Sequence, residues 1–173
     1  MHVVKELYLL RHAKSSWGDP GVADRDRPLA QRGKRAAALI ADHLREHGIA
    51  PAVVLSSDAR RARQTLKPVE GVLGRRSQVL VEEELYGASA PELLDRLRSV
   101  PDAVPSVMLV GHNPGLQDLA LLLSHPGGRR EAVAEKFPTG ALARLDLDLA
   151  GWGQLREGAG LLSELVLPRD LAR

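Results

Sequence analysis

The sequence predicts an α/β fold, and three junctions carry that prediction. The apolar run Leu7-Tyr8-Leu9-Leu10 ends in Arg11-His12, Val107-Met108-Leu109-Val110 ends in Gly111-His112-Asn113-Pro114, and Val53-Val54-Leu55 ends in Ser56-Ser57-Asp58. Each run has the length of a buried strand, and each passes through loop-forming residues into a helical pattern. His12 and His112 are therefore expected at carboxyl ends of strands, the edge at which α/β sheets bind their ligands.

The elements follow in order. After the first strand, Ser15 to Arg27 is polar and punctuated by Gly18, Pro20 and Gly21, which reads as a long functional loop. Pro28 to His47 carries helical periodicity, with Ala36, Leu39, Ile40 and Leu44 near one face and Gly48 as a C-terminal stop. Ala52 to Leu55 is the second strand, and a helix opening with Arg60, Arg61 and Arg63 runs to about Leu73. Gln78 to Val81 forms a further short strand, and Pro91 suits the first turn of a helix reaching Arg98. Pro105 to Val110 is the next strand. Asn113 as N-cap and Pro114 at the first helical position then start a helix that buries Leu116, Leu119, Ala120 and Leu123. A Gly- and Arg-rich stretch without assigned structure leads to Pro138-Thr139-Gly140. From Ala141 to Leu149 the alternation places Leu145, Leu147 and Leu149 inward and Arg144, Asp146 and Asp148 outward, as in a half-exposed antiparallel strand. Leu162 to Leu167 is a candidate closing strand.

At 173 residues the chain suits one compact domain, expected to span 1–173. With only 3% aromatic residues, the core must be built from Leu, Val and Ala. No apolar stretch approaches a membrane span and no signal-peptide pattern opens the chain, so a soluble cytoplasmic protein is expected. Cysteine is absent, which removes disulfides, thiolate metal sites and every cysteine-nucleophile phosphatase mechanism. Because 24 Lys and Arg nearly balance 22 Asp and Glu, the net charge is +2 and predicts no nucleic-acid partner.

Two imidazoles and several guanidiniums converging on one crevice suggest an anion site, with phosphate the best candidate. Phosphoryl transfer needs an in-line nucleophile and positive charge on the oxygens that carry developing negative charge. Histidine and arginine supply both without metal: a neutral imidazole is a competent nucleophile, and the guanidinium fork matches two phosphate oxygens. His12 is the candidate nucleophile, with Arg11 beside it and with His112 and Arg61 completing the clamp.

These residues carry a family resemblance. Leu7-Tyr8-Leu9-Leu10-Arg11-His12-Ala13-Lys14-Ser15-Ser16-Trp17 resembles the opening of the histidine phosphatase superfamily, specifically its small SixA-type branch. Asp26-Arg27-Pro28-Leu29 with Arg32-Gly33, Ser57 through Arg61-Ala62 to Gln64-Thr65, Leu85-Tyr86 and Gly111-His112-Asn113-Pro114-Gly115 resemble the same branch in the same order. The likeness runs from the first strand to about Gly140. It implies a phosphoglycerate mutase-like fold, a three-layer α/β/α sandwich with a mostly parallel central sheet, and the segments between the motifs leave no room for a large lid domain.

The resemblance further implies that His12 becomes transiently phosphorylated, that Arg11, Arg61 and His112 bind the phosphoryl group, and that Arg27 adds a phosphate or substrate contact. The choice of Arg61 over Arg60 rests on it, because Arg61 precedes Ala62 and stands four residues before Thr65. Many members place a glutamate shortly before a Tyr-Gly pair as general acid. Glu82, Glu83 and Glu84 crowd that position here, and Glu83 is the first candidate against the alternative of a solvated acidic turn. Ser15 and Asn113 are further candidates for substrate contacts, and Lys14 and Ser16 are secondary ones.

Other polar groups read more simply. His43 and His47 have metal-ligand spacing on a helix but lack a third ligand, so packing at a helix C-terminal turn is favoured. His2 and His125 have no supporting pattern. Asp146-Leu147-Asp148 is a solvated pair on an alternating strand, and the arginines from Arg60 to Arg76 form a solvated helix face.

The expected function is a metal-independent, cofactor-free phosphatase acting through phospho-His12 on phosphohistidine in a protein. The alternatives are a phosphatase for small phosphorylated metabolites, a mutase-like transferase, and a non-catalytic phosphate- or phosphoprotein-binding module on the same scaffold.

Overall fold

The computed structural model describes residues 4–172. Six strands, β1 (Val4–Arg11), β2 (Val53–Ser57), β3 (Gln78–Glu82), β4 (Ser106–Gly111), β5 (Leu142–Asp148) and β6 (Gly160–Val166), form one sheet in the order β3-β2-β4-β1-β5-β6. The first four in that order run parallel, while β5 lies antiparallel to both β1 and β6. The helices are α1 (Gln31–Glu46), α2 (Arg60–Leu73), α3 (Ala90–Arg98), α4 (Gly115–Leu123), α5 (Arg130–Glu135) and α6 (Pro168–Leu171).

Side chains that alternate along a strand point to opposite faces, and the two cores follow from that period. Leu7, Leu9, Val53, Leu55, Val107 and Leu109 face α3, α4 and α5, where Leu93, Leu97, Leu116, Leu119 and Val133 cover them. Tyr8, Leu10, Val54, Met108 and Val110 face α1 and α2, covered by Ile40, Leu44, Leu66 and Val69. Helices on both faces make the expected three-layer α/β/α sandwich with a mostly parallel sheet. Three of the five Phe, Trp and Tyr residues, Tyr8, Phe137 and Trp152, are buried, and the Trp152 indole N–H donates to the Val104 carbonyl at 2.8 Å.

The late alternating segment is the antiparallel strand β5, with Leu145 and Leu147 buried. On its other face Arg144 is paired with Asp146 at 2.9 Å and with Glu6 of β1 at 3.4 Å, so Asp146 is an ion-paired carboxylate on the sheet face.

Three expectations are corrected. α1 starts at Gln31 because Pro28 to Ala30 are committed to a return pairing with the first loop: Ser16 N–H donates to Pro28 O at 2.8 Å and Ala30 N–H to Lys14 O at 2.9 Å. α4 starts at Gly115, with Pro114 in the capping position and Asn113 outside it. From one residue further out Asn113 still serves the helix start, its Oδ1 accepting from Gln117 N at 3.3 Å, while its Nδ2 donates to Phe137 O at 2.9 Å. The Gly- and Arg-rich stretch before Pro138 contains α5, whose six residues bury a single apolar side chain, Val133, and so show no periodicity.

Two glycines let backbones approach where the site is built. A Cβ on Gly33 of α1 would lie 2.1 Å from the Lys14 carbonyl oxygen, and one on Gly115 of α4 would lie 2.2 Å from the Ala88 carbonyl oxygen. Both contacts seat a helix against a loop beside a strand end.

Candidate active site

The sheet order places β2, β4 and β1 side by side, so their carboxyl ends bring Ser57, Gly111-His112 and Arg11-His12 to one edge. α2 follows β2 after two residues and delivers Arg61 on its first turn. The loop after β1 folds back as a single 3-10 turn, Asp24–Asp26, over the same edge.

His12 is 6% exposed, and its Nδ1 lies 2.7 Å from the Ala13 carbonyl. A carbonyl only accepts, so Nδ1 carries the proton and Nε2 is the unprotonated, accepting nitrogen. Arg61 Nε approaches that Nε2 at 3.4 Å, and the His12 and His112 ring centroids are 5.2 Å apart. Burial above all holds the His12 pKa down to about 3, opposed by the bond to Ala13 and reinforced by His112, Arg61 and Arg11. Burial, then Arg61, holds His112 down to about 4. Both rings are therefore neutral near pH 7.

His112 Nε2 is 2.8 Å from Ser57 Oγ, and its ring meets the edge of Tyr86 with centroids 5.5 Å apart. Arg11 Nη1 donates to Phe137 O at 3.0 Å. Arg11 Nε and His112 Nδ1 are buried without a hydrogen-bond partner among the described residues. A guanidinium Nε–H can only donate, so Arg11 presents an unused, permanently available donor beside the two imidazoles.

Asp24 organises the other cations. Its backbone carbonyl accepts from Arg61 Nη1 at 2.7 Å and its carboxylate from Arg61 Nη2 at 3.1 Å and Arg27 Nε at 3.1 Å, while the Tyr86 hydroxyl donates to the same carboxylate. The Tyr86 bond first, then Arg61 and Arg27, holds the Asp24 pKa down to about 2. Arg27 also donates to Ser15 Oγ at 2.8 Å, and its guanidinium stacks on the exposed Trp17 ring. Thr65 ties the pieces together: its hydroxyl donates to Arg61 O at 2.7 Å and accepts from Ala13 N–H at 2.9 Å.

Arg11, His12, Arg61 and His112 thus converge, with Ser15 and Arg27 on the loop side and Asn113 at the start of α4. Glu83 does not join them. It is exposed and makes no side-chain hydrogen bond or ion pair among the described residues, whereas neighbouring Glu82 is gripped by Arg96 at 2.7 and 2.8 Å. Asp24 carries no signal in the sequence, because its partners Arg61 and Tyr86 are 37 and 62 residues away. Ser57, Thr65 and Tyr86 stood in the recognised motifs, but their bonding was not legible there.

Elsewhere, His43 and His47 pack at the end of α1, with His47 Nδ1 2.9 Å from His43 O. Among the described residues no three His, Cys, Asp or Glu side chains gather as metal ligands would. His2 lies outside the described residues. No described helix is long and apolar enough to cross a membrane.

A buried imidazole pair ringed by guanidiniums at the carboxyl edge of a mostly parallel sheet is equipped to take a phosphoryl group. The family model for the histidine phosphatase superfamily (branch 1) matches residues 7–105, and the chain belongs to that superfamily. It is similar to protein Rv1276c of Mycobacterium tuberculosis, with 40% identity over 165 residues that cover 92% of this chain and all of that protein. Among solved structures it resembles a protein of Nakamurella multipartitia provisionally named phosphohistidine phosphatase SixA, with TM-score 0.84, 31% identity and coverage of 95% of this chain and 96% of that one. It also resembles the protein histidine phosphatase SixA complexed with tungstate, with TM-score 0.78, 26% identity and coverage of 96% and 99%. The shared architecture is the phosphoglycerate mutase-like fold.

Proposed function

We propose that this member of the superfamily is a metal-independent phosphatase that hydrolyses phosphohistidine carried by another protein, through a phospho-His12 intermediate. The observation that carries the reading is the His12 tautomer. Nδ1–H is pinned to the Ala13 carbonyl at 2.7 Å, which leaves Nε2 unprotonated on a buried, neutral ring, accepting only a long bond from Arg61 Nε at 3.4 Å.

In the first step His12 Nε2 forms a bond to phosphorus as the substrate P–N bond breaks, and the electron pair leaves with the substrate imidazole, which departs with its own proton. The phosphorylated His12 ring then carries positive charge, which the Ala13 carbonyl stabilises through Nδ1–H. Arg11 Nε, Arg61 and His112 surround the phosphoryl oxygens and offset the charge that develops there. Water then attacks phosphorus, releases phosphate and returns the pair to His12 Nε2.

Phosphohistidine suits this site because, among the described residues, no protonated carboxyl group is held in hydrogen bonds beside the imidazoles. Asp24 is kept ionised, Glu82 is occupied by Arg96, and Glu83 is solvated. An alkyl ester would need a proton donor worth about 100-fold to 10,000-fold, whereas an imidazole leaving group does not.

Phosphate release from a phosphohistidine protein, an aryl phosphate and an alkyl phosphate tests the reading. The expected order is phosphohistidine fastest and alkyl phosphate slowest, with acid-labile, base-stable phosphate trapped on wild type and absent from His12→Ala. Faster hydrolysis of the alkyl ester, slowed selectively by the double variant Glu83→Gln, Glu84→Gln, would establish the small-metabolite phosphatase instead. No trapped phosphate and no release from any substrate would leave only a binding module.

A further inference from the structure

A second concave surface opens at the same end of the sheet, on the β5 and β6 side of His12. It encloses about 630 Å³ between α1, α5 and α6, and none of Arg11, His12, Arg61 and His112 lines it. Five cations do: Lys14, Arg32, Arg35, Lys136 and Arg169, against the single carboxylate of Glu135. Leu39 and Leu165 supply part of an apolar floor between them.

The charge is uncompensated. Lys14, Arg32, Arg35 and Lys136 make no side-chain hydrogen bond or ion pair with any described residue, and Arg169 reaches only its neighbour Asp170 at 3.9 Å. Arg25, Arg96 and Arg144, by contrast, are ion-paired with Asp58, with Glu82 and with Glu6 and Asp146; other unpaired cations, such as Lys34, Arg63 and Lys67, do not line the concavity. In a chain of net charge +2, five cations on one concave wall are a local excess, and a low-dielectric concavity concentrates their field.

The surface is continuous with the phosphoryl site through the backbone. Lys14 is two residues past His12. Pro138 and Thr139 line the groove, while Phe137 O takes the Arg11 and Asn113 side-chain donors and Gly140 N–H donates to His12 O at 2.9 Å. The segment from Phe137 to Gly140 is thus a wall shared by the two.

We propose that this groove receives an acidic segment of the protein that carries the phosphohistidine, so that its cations select the substrate while His12 performs the chemistry. The inference rests on the phosphohistidine reading above. Charge complementarity identifies the occupant: Lys and Arg lining one concavity together with Leu39 and Leu165 match a chain with Asp or Glu and interspersed apolar side chains.

The test uses two phosphohistidine peptides, one flanked by Glu and Leu residues and one by Gln and Leu residues, with wild type and the triple variant Arg35→Ser, Lys136→Ser, Arg169→Ser. Wild type is expected to show a kcat/KM on the acidic peptide about 10-fold above that on the neutral one, an advantage lost in the variant and in high salt. Hydrolysis of a small aryl phosphate stays unchanged in the variant. Fluorescence anisotropy of the unphosphorylated acidic peptide provides a readout independent of turnover, with wild-type binding about 10-fold tighter than the variant's. Absence of phosphate release from any substrate would fail the phosphatase reading alone, and anisotropy would still decide the groove. Equal rates on both peptides, or acidic-peptide binding unaffected by the triple variant, overturns the proposal. Citrate displacing the acidic peptide at equal concentration would equally overturn it, assigning the groove to a small polyanion.

Discussion

Asp24 holds one edge of the Arg61 guanidinium from both its main chain and its side chain, with Nη1 bound by the Asp24 carbonyl at 2.7 Å and Nη2 by its carboxylate at 3.1 Å. The remaining Nε is thereby turned toward His12 Nε2 at 3.4 Å. A carboxylate beside an anion site repels the anion, so this arrangement makes chemical sense as a device that orients Arg61. Asp24→Ala is expected to lower kcat for phosphate release roughly 10-fold to 100-fold, the scale of a misplaced catalytic group. Asp24→Asn, which keeps an acceptor, should recover part of the loss. A variant as fast as wild type would show that Arg61 needs no such support.

The two imidazoles determine a pH response. An unfolded histidine titrates near 6.5, whereas burial holds His12 down to about 3 and His112 down to about 4 in the folded protein. A depressed folded pKa means that the unfolded chain takes up protons first as pH falls. The stabilising contribution of both rings is then complete above pH ~6.5 and is lost as pH drops toward 4 and below. Nitrogen-detected NMR is expected to show both rings neutral at pH 5, His12 with its proton on Nδ1. Titration of either ring near its ordinary value would contradict the burial argument.

Gly33 tests the seat of the loop that follows His12. A methyl group there would meet Lys14 O at 2.1 Å, which neither backbone can avoid without moving. Gly33→Ala is expected to destabilise the protein by about 1–3 kcal/mol in urea unfolding, the range for overpacking, and to lower turnover as the loop shifts. A neutral effect on both would mean that α1 slides freely past Lys14.

Chelation supplies a further check. In the proposed mechanism Arg11, Arg61 and the neutral imidazoles provide the charge and the donors for the phosphoryl group, so activity in excess EDTA should equal that in buffer. Activity lost to chelator and restored by a divalent ion would overturn the proposed mechanism.

The α/β class was legible in the residues themselves. Three short apolar runs could only be buried strands, and His12 and His112 had to stand at their ends because loop and helix signals follow at once. The period of Leu145, Leu147 and their charged neighbours likewise dictated the half-exposed antiparallel strand β5. Local patterns of this kind report burial, and burial is what fixes strand faces.

What local pattern does not encode is distance between segments remote in sequence. The strand order β2-β4-β1 brings Ser57 to His112 and Arg61 to His12, and the fold of the first loop carries Asp24 to Arg61 and Tyr86. Asn113 shows both levels at once: its Oδ1 accepts from Gln117 N in the first turn of α4, a local capping contact, while its Nδ2 binds the Phe137 carbonyl 24 residues away, which no local pattern reports. The residue types that could bind a phosphoryl group were therefore set by the sequence. Their protonation and orientation were set by tertiary packing, because burial neutralises the imidazoles and a distant carboxylate aims the guanidinium.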